Sequence, residues 1–170
     1  MNILDLGTGS GCIAITLADE FKNSSVRAVD KSPEALKVAA QNAKRIGVSN
    51  IAFFEGSWYE PFMTTHADEN NKFDIIVSNP PYIDPNDPHL AGLTDEPISA
   101  LIADNKGMAD ICHIVKTAPQ FLQPHGLLAI EHGYNQGEQV RDVFLSNGFG
   151  DVITVKDYGD NERVTLGVIN

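Results

Sequence analysis

The tetrapeptide Asn79-Pro80-Pro81-Tyr82 has residue types suited to holding a planar amino or amide nitrogen. It follows an apolar run, residues 73–78, that is typical of a strand. The side-chain carbonyl of Asn79 accepts hydrogen bonds from N–H groups. Pro80 lacks an N–H and its successor favours an extended chain, so backbone carbonyls here can point into a cavity rather than into a helix. Tyr82 supplies an aromatic wall with a polar tip. Taken alone, the motif is also compatible with a loop that merely ends a strand.

A glycine-rich turn near the N-terminus is the second candidate site. The run Asp5-Leu6-Gly7-Thr8-Gly9-Ser10-Gly11 follows the first predicted strand and opens a predicted helix. Glycines permit tight turning and close approach of a ligand, and a helix start offers N–H groups and partial positive charge. Asp30 ends the second predicted strand at the same edge of the sheet, where a carboxylate accepts hydrogen bonds from ribose hydroxyls. This pairing predicts an adenosine-containing ligand.

The spacing of the glycines and the acid at Asp5 favour S-adenosylmethionine over a dinucleotide. The third glycine comes one residue earlier than in the G-x-G-x-x-G fingerprint. An acid at this turn repels a pyrophosphate but pairs with a cationic ammonium group. S-adenosylmethionine carries an ammonium, a sulfonium and a ribose, and no phosphate. The alternative is that Asp5 orders the turn by bonding backbone N–H groups, and the two roles are compatible.

Trp58, the only tryptophan of the chain, lies just past the third predicted strand. In an α/β fold of this kind, the loop after the third strand borders the adenine. Stacking of the adenine ring on the face of Trp58 would be worth roughly 1 kcal/mol. We therefore expect Trp58 at the cofactor site, with a core or surface anchor as the alternative.

Short apolar runs alternate with helix-period segments, which predicts an α/β fold with a mainly parallel sheet. Ser32, Pro33 and Gly47 have the residue types that begin and end a helix. Residues 83–104 form a long connection of the kind that is usually functional or disordered. Predicted strands cover residues 2–6, 25–30, 51–54, 73–78, 127–132, 149–155 and 164–169; predicted helices cover residues 11–21, 33–46, 105–122 and 134–147, with Pro119 as a break and 124–126 as a turn.

Composition argues against a nucleic-acid-binding protein and against a membrane-spanning one. The formal net charge is −11 and the 12 Lys and Arg residues are scattered, so nucleic acid is disfavoured as a substrate. No apolar run is long enough to span a bilayer, and the chain length predicts one domain over residues 1–170. Cys12 and Cys112 match no metal or redox spacing and suit a cytoplasmic protein. His132 lies at the end of the fifth predicted strand and is more typical of a structural hydrogen-bonder than of a catalyst. We expect no metal site.

Together these motifs resemble class I S-adenosylmethionine-dependent methyltransferases. The chain is most similar to the HemK/PrmC family, the protein-(glutamine-N5) methyltransferases that modify peptide chain release factors. The matching landmarks, besides the two motifs above, are Ala28-Val29-Asp30, Gly56-Ser57-Trp58, Glu96-Pro97-Ile98-Ser99-Ala100-Leu101, Glu131-His132-Gly133 and Arg163-Val164-Thr165-Leu166-Gly167.

The resemblance implies a Rossmann-like fold with a seven-stranded, mostly parallel sheet, strand seven antiparallel between strands five and six, and helices on both faces. It implies S-adenosylmethionine as cofactor, S-adenosylhomocysteine as product and a release factor as protein partner, without direct contact to nucleic acid or membrane. Ser57 stands where the family usually has Asp, and the family's helical N-terminal domain is expected to be absent from this chain.

The implied site residues divide by role. Asn79, Pro80 and Tyr82 are expected to be catalytic, and with Pro81 they line the substrate site. The expected cofactor-binding residues are Asp5, Gly7, Thr8, Gly9, Ser10, Gly11, Asp30, Trp58 and Asn79.

Three other functions remain open from the residues alone. The first is a nucleic-acid methyltransferase that acts on adenine N6 or guanine N2. Such an enzyme can use the same Asn-Pro-Pro-aromatic motif to hold the amino group of a base that has been flipped out of the duplex. A cofactor-binding scaffold without catalysis is the second alternative. A nicotinamide-dependent oxidoreductase is the third, and a test of which cofactor raises the melting temperature separates it from the rest.

Overall fold

A computed structural model of the chain describes residues 1–63, 71–83 and 107–170. Most of the connection predicted at 83–104 lies outside these ranges. The strands are β1 (Asn2–Leu6), β2 (Ser25–Asp30), β3 (Ile51–Glu55), β4 (Phe73–Ser78), β5 (Leu122–Glu131), β6 (Phe149–Lys156) and β7 (Glu162–Ile169). The described α-helices are α1 (Cys12–Glu20), α2 (Pro33–Ile46), α3 (Ala109–Thr117) and α4 (Gly137–Ser146), with 3₁₀ turns at Glu60–Phe62 and Ala118–Gln120.

The seven strands form one sheet in the order β3-β2-β1-β4-β5-β7-β6. Strand β1 pairs in parallel with both β2 and β4, and β2 pairs in parallel with β3. Strand β7 is antiparallel to β6, and it lies between β5 and β6. The predicted fold class is confirmed, including the position of strand seven.

The chain divides into two compact units, and strand β5 contributes to both. The first unit comprises residues 1–78 and 120–127. In it, α1 packs against β1, β2 and β3, and its core includes Ile3, Ala14, Ala18, Val26 and Ala28. Small side chains on the helix let it approach the sheet closely. The prediction of a single domain over the whole chain stays a prediction.

The second unit comprises residues 79–119 and 128–170. Helix α4 packs against α3, β6 and β7. The rings of Phe144 and Phe149 lie 5.0 Å apart, and a Cβ added at Gly167 would lie 2.9 Å from Phe144 Cδ1. Glycine at this position of β7 therefore makes room for the helix's main aromatic anchor.

The predicted boundaries of α2 are confirmed. The Ser32 hydroxyl accepts a hydrogen bond from the Ala35 amide at 3.1 Å, and Pro33 occupies the first turn. Gly47 ends the helix with a φ of 91°, in the left-handed region that glycine adopts without strain. Helix α2 carries Asn42, whose side-chain amide donates to the Ser10 carbonyl at 3.0 Å. The helix is thereby tied to the glycine turn.

Strand five differs from its predicted bounds. It begins at Leu122 rather than at residue 127 and ends at Glu131. The chain still turns at Pro124–Gly126, since His125 has a φ of 62° and a Cβ added at Gly126 would lie 2.9 Å from the Gln123 carbonyl oxygen. The strand continues through this tight turn, and local residue preferences do not reveal such an extension.

Helix α3 ends at Thr117, ahead of the predicted break at Pro119. Because proline cannot donate to a helical carbonyl, the chain continues as a 3₁₀ turn over Ala118–Gln120. Among the residues that the structure describes, no helix is both long and apolar enough to cross a membrane.

Candidate functional site

The glycine turn of the first unit is held in shape by backbone hydrogen bonds, two of them to strand β2. The amides of Gly7 and Thr8 both donate to the Val29 carbonyl at 2.9 Å, and the Gly11 amide donates to the Thr8 carbonyl at 2.9 Å. Gly7, Gly9 and Gly11 have φ values of 73°, 56° and 85°. Residues with a side chain rarely adopt positive φ values, so the turn depends on glycine at all three positions.

Two of these glycines have different surroundings. A Cβ added at Gly11 would lie 2.8 Å from Ile15 Cδ1 and 3.0 Å from Ala39 Cβ. Gly11 therefore serves the close packing of α1 against α2. A Cβ added at Gly9 would have no atom within 4 Å, so the space beside Gly9 is open to a ligand.

Asp5 is a buried carboxylate at the start of this turn. Its Oδ2 accepts a hydrogen bond from the Thr8 hydroxyl at 2.6 Å. Its Oδ1 is buried and has no hydrogen-bond partner in the described part of the chain. Burial raises the pKa of Asp5 from its ordinary 3.8 to about 6, with a smaller increase from the charge of Asp30, while hydrogen bonding from Thr8 and the Ala14 backbone lowers it. A cation placed at Oδ1 would compensate the buried charge.

Asp30 joins the glycine turn to helix α2. Its Oδ2 accepts from the Gly9 amide at 2.8 Å, and its Oδ1 accepts from the Ser32 amide at 2.9 Å. A carboxylate offers about four acceptor positions, so each oxygen retains capacity for a hydroxyl donor. The structure thus brings Asp5, Asp30 and the glycines together, and it gives Asp30 a bracing role that sequence reasoning missed.

Trp58 has a left-handed backbone conformation, with a φ of 51°. Such a conformation is rare for a bulky residue and costs on the order of 1–3 kcal/mol. Its neighbour Tyr59 is fully buried and stacks on Phe121 with ring centroids 4.7 Å apart. Trp58 lies beside the glycine turn, because a Cβ added at Gly7 would lie 3.3 Å from Trp58 Cζ3. The buried Tyr59 anchors the strained residue.

Residues Asn79–Tyr82, which we call the NPPY segment, belong to the second unit. They follow Ser78, whose hydroxyl donates to the Leu6 carbonyl at 2.8 Å and so ties the end of β4 to the end of β1. Asn79 is exposed, Pro80 is buried, and Pro81 and Tyr82 are half-buried. The Asn79 side chain is therefore accessible to an incoming group.

Tyr82 is held at both ends. Its hydroxyl donates to Glu131 Oε1 at 3.3 Å, and its backbone carbonyl accepts from Gln136 Nε2 at 3.0 Å. Sequence reasoning did not assign Glu131 or Gln136 to a site. Glu131 is the penultimate residue of the strand predicted at 127–132, which is a usable signal, but no local pattern links Gln136 to a residue 54 positions earlier.

His132 is a buried structural residue, as the sequence indicated. Its Nδ1 lies 2.9 Å from the Gly133 carbonyl oxygen and its Nε2 lies 2.9 Å from Thr165 Oγ1. Burial lowers the pKa of His132, so the ring is neutral at pH 7. It anchors the chain between β5 and α4 to strand β7.

The features of the first unit fit a ligand that carries a cationic group and hydroxyls. The orphaned Oδ1 of Asp5 suits a cation, the remaining acceptor capacity of Asp30 suits hydroxyls, and the open position at Gly9 admits close approach. Within residues 1–63, 71–83 and 107–170, no group of three or more His, Cys, Asp or Glu side chains is arranged to hold a metal ion.

Comparison with known proteins relates the chain to methyltransferases. It is 49% identical over 167 residues to the release factor glutamine methyltransferase of Salmonella typhimurium, an alignment that covers 97% of this chain and 58% of that protein. The chain thus spans less than two thirds of the relative's length.

Two solved structures share the fold. One is a ribosomal protein L11 methylase from Lactobacillus delbrueckii, with a TM-score of 0.67, 23% identity and coverage of 98% of this chain and 68% of that one. The other is a SAM-dependent methyltransferase from Aquifex aeolicus, with a TM-score of 0.66, 17% identity and coverage of 100% and 82%. At these identities the likeness concerns the fold alone.

A family model described as a methyltransferase domain matches residues 1–159. The match includes the glycine turn, Asp30, Trp58 and the NPPY segment. The chain belongs to this methyltransferase domain family.

Proposed function

We propose that this protein transfers a methyl group from S-adenosylmethionine to the side-chain amide nitrogen of a glutamine in a peptide chain release factor. The observation that carries the proposal is the NPPY segment, which directly follows β4 and whose Tyr82 is hydrogen-bonded through both its hydroxyl and its carbonyl. The similarity to the Salmonella release factor glutamine methyltransferase supports the substrate class.

The first unit would hold the cofactor. Asp5 Oδ1 receives the ammonium group, Asp30 accepts from the ribose hydroxyls, and the Trp58 ring stacks on the adenine. The backbone of residues 7–11 lies along the ligand, as the open position at Gly9 permits. When bound, S-adenosylmethionine supplies an electrophilic methyl group on a sulfonium and leaves as S-adenosylhomocysteine.

The NPPY segment would orient the nucleophile. An amide nitrogen is a poor nucleophile because its lone pair is delocalised into the carbonyl. The Asn79 side-chain carbonyl and the Pro80 backbone carbonyl accept its two hydrogens, which favours a more pyramidal nitrogen. Tyr82 packs against the glutamine side chain. The contribution of these residues is positioning and electrostatic stabilisation.

The nitrogen loses its proton to water after the transfer. A glutamine amide is neutral, so the segment needs no charged partner for it. This agrees with the residue types of the NPPY segment, none of which is a carboxylate or an ammonium.

Methyl transfer from labelled S-adenosylmethionine tests the proposal when a release factor, total RNA and total DNA are offered in parallel. We expect label on one glutamine of the release factor. That label should be lost in Asn79→Ala and retained in Asn23→Ala, which alters an exposed asparagine in the turn between α1 and β2.

Label on nucleic acid alone would refute the glutamine substrate and assign the chain to the base-modifying class. Label on the release factor that persists in Asn79→Ala would refute the role of the NPPY segment. A thermal shift with S-adenosylmethionine, measured on the same samples, reports cofactor binding independently of transfer.

A further inference from the structure

The NPPY segment contains few groups that can hold its main chain in place. Pro80 and Pro81 have no backbone N–H, so half of the segment's four residues cannot donate from the backbone. Its position must therefore be set largely through its carbonyls and side chains. The Tyr82 carbonyl has such a contact, because it accepts a hydrogen bond from Gln136 Nε2 at 3.0 Å.

The orientation of the Gln136 amide is determined by its partners. Its Oε1 accepts from the Gly133 amide at 2.8 Å, while its Nε2 donates to the Tyr82 carbonyl. A backbone N–H only donates and a backbone carbonyl only accepts. If the amide were rotated by half a turn, its NH₂ group would face the Gly133 N–H and its oxygen would face the Tyr82 carbonyl. The side chain therefore has one favourable orientation.

The hydrogen bond between Gln136 and Tyr82 is partly buried. Gln136 is 7% exposed. A Cβ added at Gly107 would lie 2.0 Å from the Tyr82 carbonyl oxygen and 2.8 Å from Gln136 Nε2. The backbone of Gly107 therefore covers the bond and leaves no space for a side chain there.

The turn that carries Gln136 is itself anchored by a chain of hydrogen bonds. Arg141 Nη1 lies 2.9 Å from Thr154 Oγ1, which lies 2.8 Å from Thr165 Oγ1. His132 links Thr165 to the Gly133 carbonyl with two contacts of 2.9 Å. Because the guanidinium only donates and the carbonyl only accepts, each hydroxyl accepts one bond and donates the next, and His132 carries its proton on Nδ1.

We propose that Gln136 is a positioning residue for methyl transfer, which fixes the main chain of the NPPY segment through the carbonyl of Tyr82. It contacts neither the substrate nor the cofactor, and it acts through the residues that do. This inference rests on the proposed function, since it concerns how the segment that receives the amide is held.

Gln136→Glu tests this role by separating the two hydrogen bonds. The new carboxylate still accepts from the Gly133 amide but has no hydrogen to donate to the Tyr82 carbonyl. Gln139→Glu is the matched control, because it places the same charge on an exposed position of α4. At about pH 8 we expect kcat for release factor methylation to fall by roughly 10- to 100-fold in Gln136→Glu. S-adenosylmethionine affinity and the activity of Gln139→Glu should stay unchanged.

The pH profile adds a readout that a purely structural role would not change. Burial and the facing carbonyl favour protonation of the new carboxyl group, which then donates to Tyr82 as the amide does. The ratio of kcat in Gln136→Glu to kcat in the native protein should therefore rise as the pH is lowered. Glu131, His132, Arg141 and Glu162 lie near this region in both proteins, so the influence of these shared charges largely cancels in the ratio.

Native kcat in Gln136→Glu at about pH 8, or a ratio that does not vary with pH, would overturn the inference while leaving the proposed function intact. If Gln136→Glu does not fold, Gln136→Asn replaces it. That variant keeps the amide but is one methylene too short to reach both partners, and the same loss of kcat is expected.

A native protein that does not methylate the release factor would refute the proposed function instead. In that case the ¹³C chemical shift of the Tyr82 carbonyl reports whether Gln136 holds this carbonyl. We expect that shift to change in Gln136→Glu and not in Gln139→Glu, and an unchanged shift would overturn the inference by itself.

Discussion

Replacing Asp5 by Asn should change the pH dependence of stability in a calculable way. In the folded protein burial raises the pKa of Asp5 from 3.8 to about 6. Each pKa unit corresponds to about 1.4 kcal/mol, so ionising Asp5 destabilises the folded state by on the order of 3 kcal/mol. The asparagine side chain still accepts from the Thr8 hydroxyl but has no charge to bury.

The sign follows from the direction of the shift. A carboxyl whose folded pKa is raised contributes stability that is fully present below pH 3.8 and is lost as the pH rises through about 6. The native protein should therefore lose stability over this range relative to Asp5→Asn. Between about pH 4 and about pH 7.5 the difference in unfolding free energy should move by about 2.5 kcal/mol in favour of the variant.

Urea unfolding without cofactor, repeated across this pH range, measures the difference. The change with pH is the informative quantity, since any gain or loss of hydrogen bonds by the uncharged amide shifts stability equally at every pH. Asp142→Asn, which removes an exposed carboxylate of α4, is the control. A difference between Asp5→Asn and the native protein that stays flat across the range would refute the reasoning.

Three further predictions concern the proposed site. Asn79→Ala should lower kcat by about 10²–10³-fold with little change in cofactor affinity, as measured by single-turnover kinetics and calorimetry; unchanged turnover would contradict the role of Asn79. Asp30→Ala should weaken S-adenosylmethionine binding by roughly 1.5–3 kcal/mol and also lower the melting temperature, because Asp30 braces the amides of Gly9 and Ser32. Unaltered calorimetric affinity would remove Asp30 from the site. Trp58→Ala should lose about 1 kcal/mol of cofactor affinity relative to Trp58→Phe, and equal affinities in the two variants would exclude stacking.

Much of the fold was predictable from local signals. Ser32, Pro33 and Gly47 define the ends of α2 because each residue type suits one backbone position. The left-handed conformations of Gly7, Gly9 and Gly11 follow in the same way. Proline fixes its own φ and glycine permits φ values that other residues avoid, so their consequences can be read without knowledge of the tertiary fold.

Features that depend on distant partners were not predictable. Strand five starts at Leu122 and runs through a turn that local preferences mark as an end. Trp58 is held at a φ of 51° beside a buried Tyr59 that stacks on Phe121. Gln136 reaches Tyr82 through a contact between residues far apart in the chain. Each depends on tertiary packing that overrides local propensity.

The internal hydrogen bonding of the glycine turn has a consequence for binding thermodynamics. The amides of Gly7, Thr8, Gly9 and Gly11 are all bonded within the chain, so this segment loses its conformational entropy when the protein folds. Ligand association then bears little ordering cost at the turn. Amide hydrogen exchange at these four residues should accordingly be slow in the free protein and change little when the site fills.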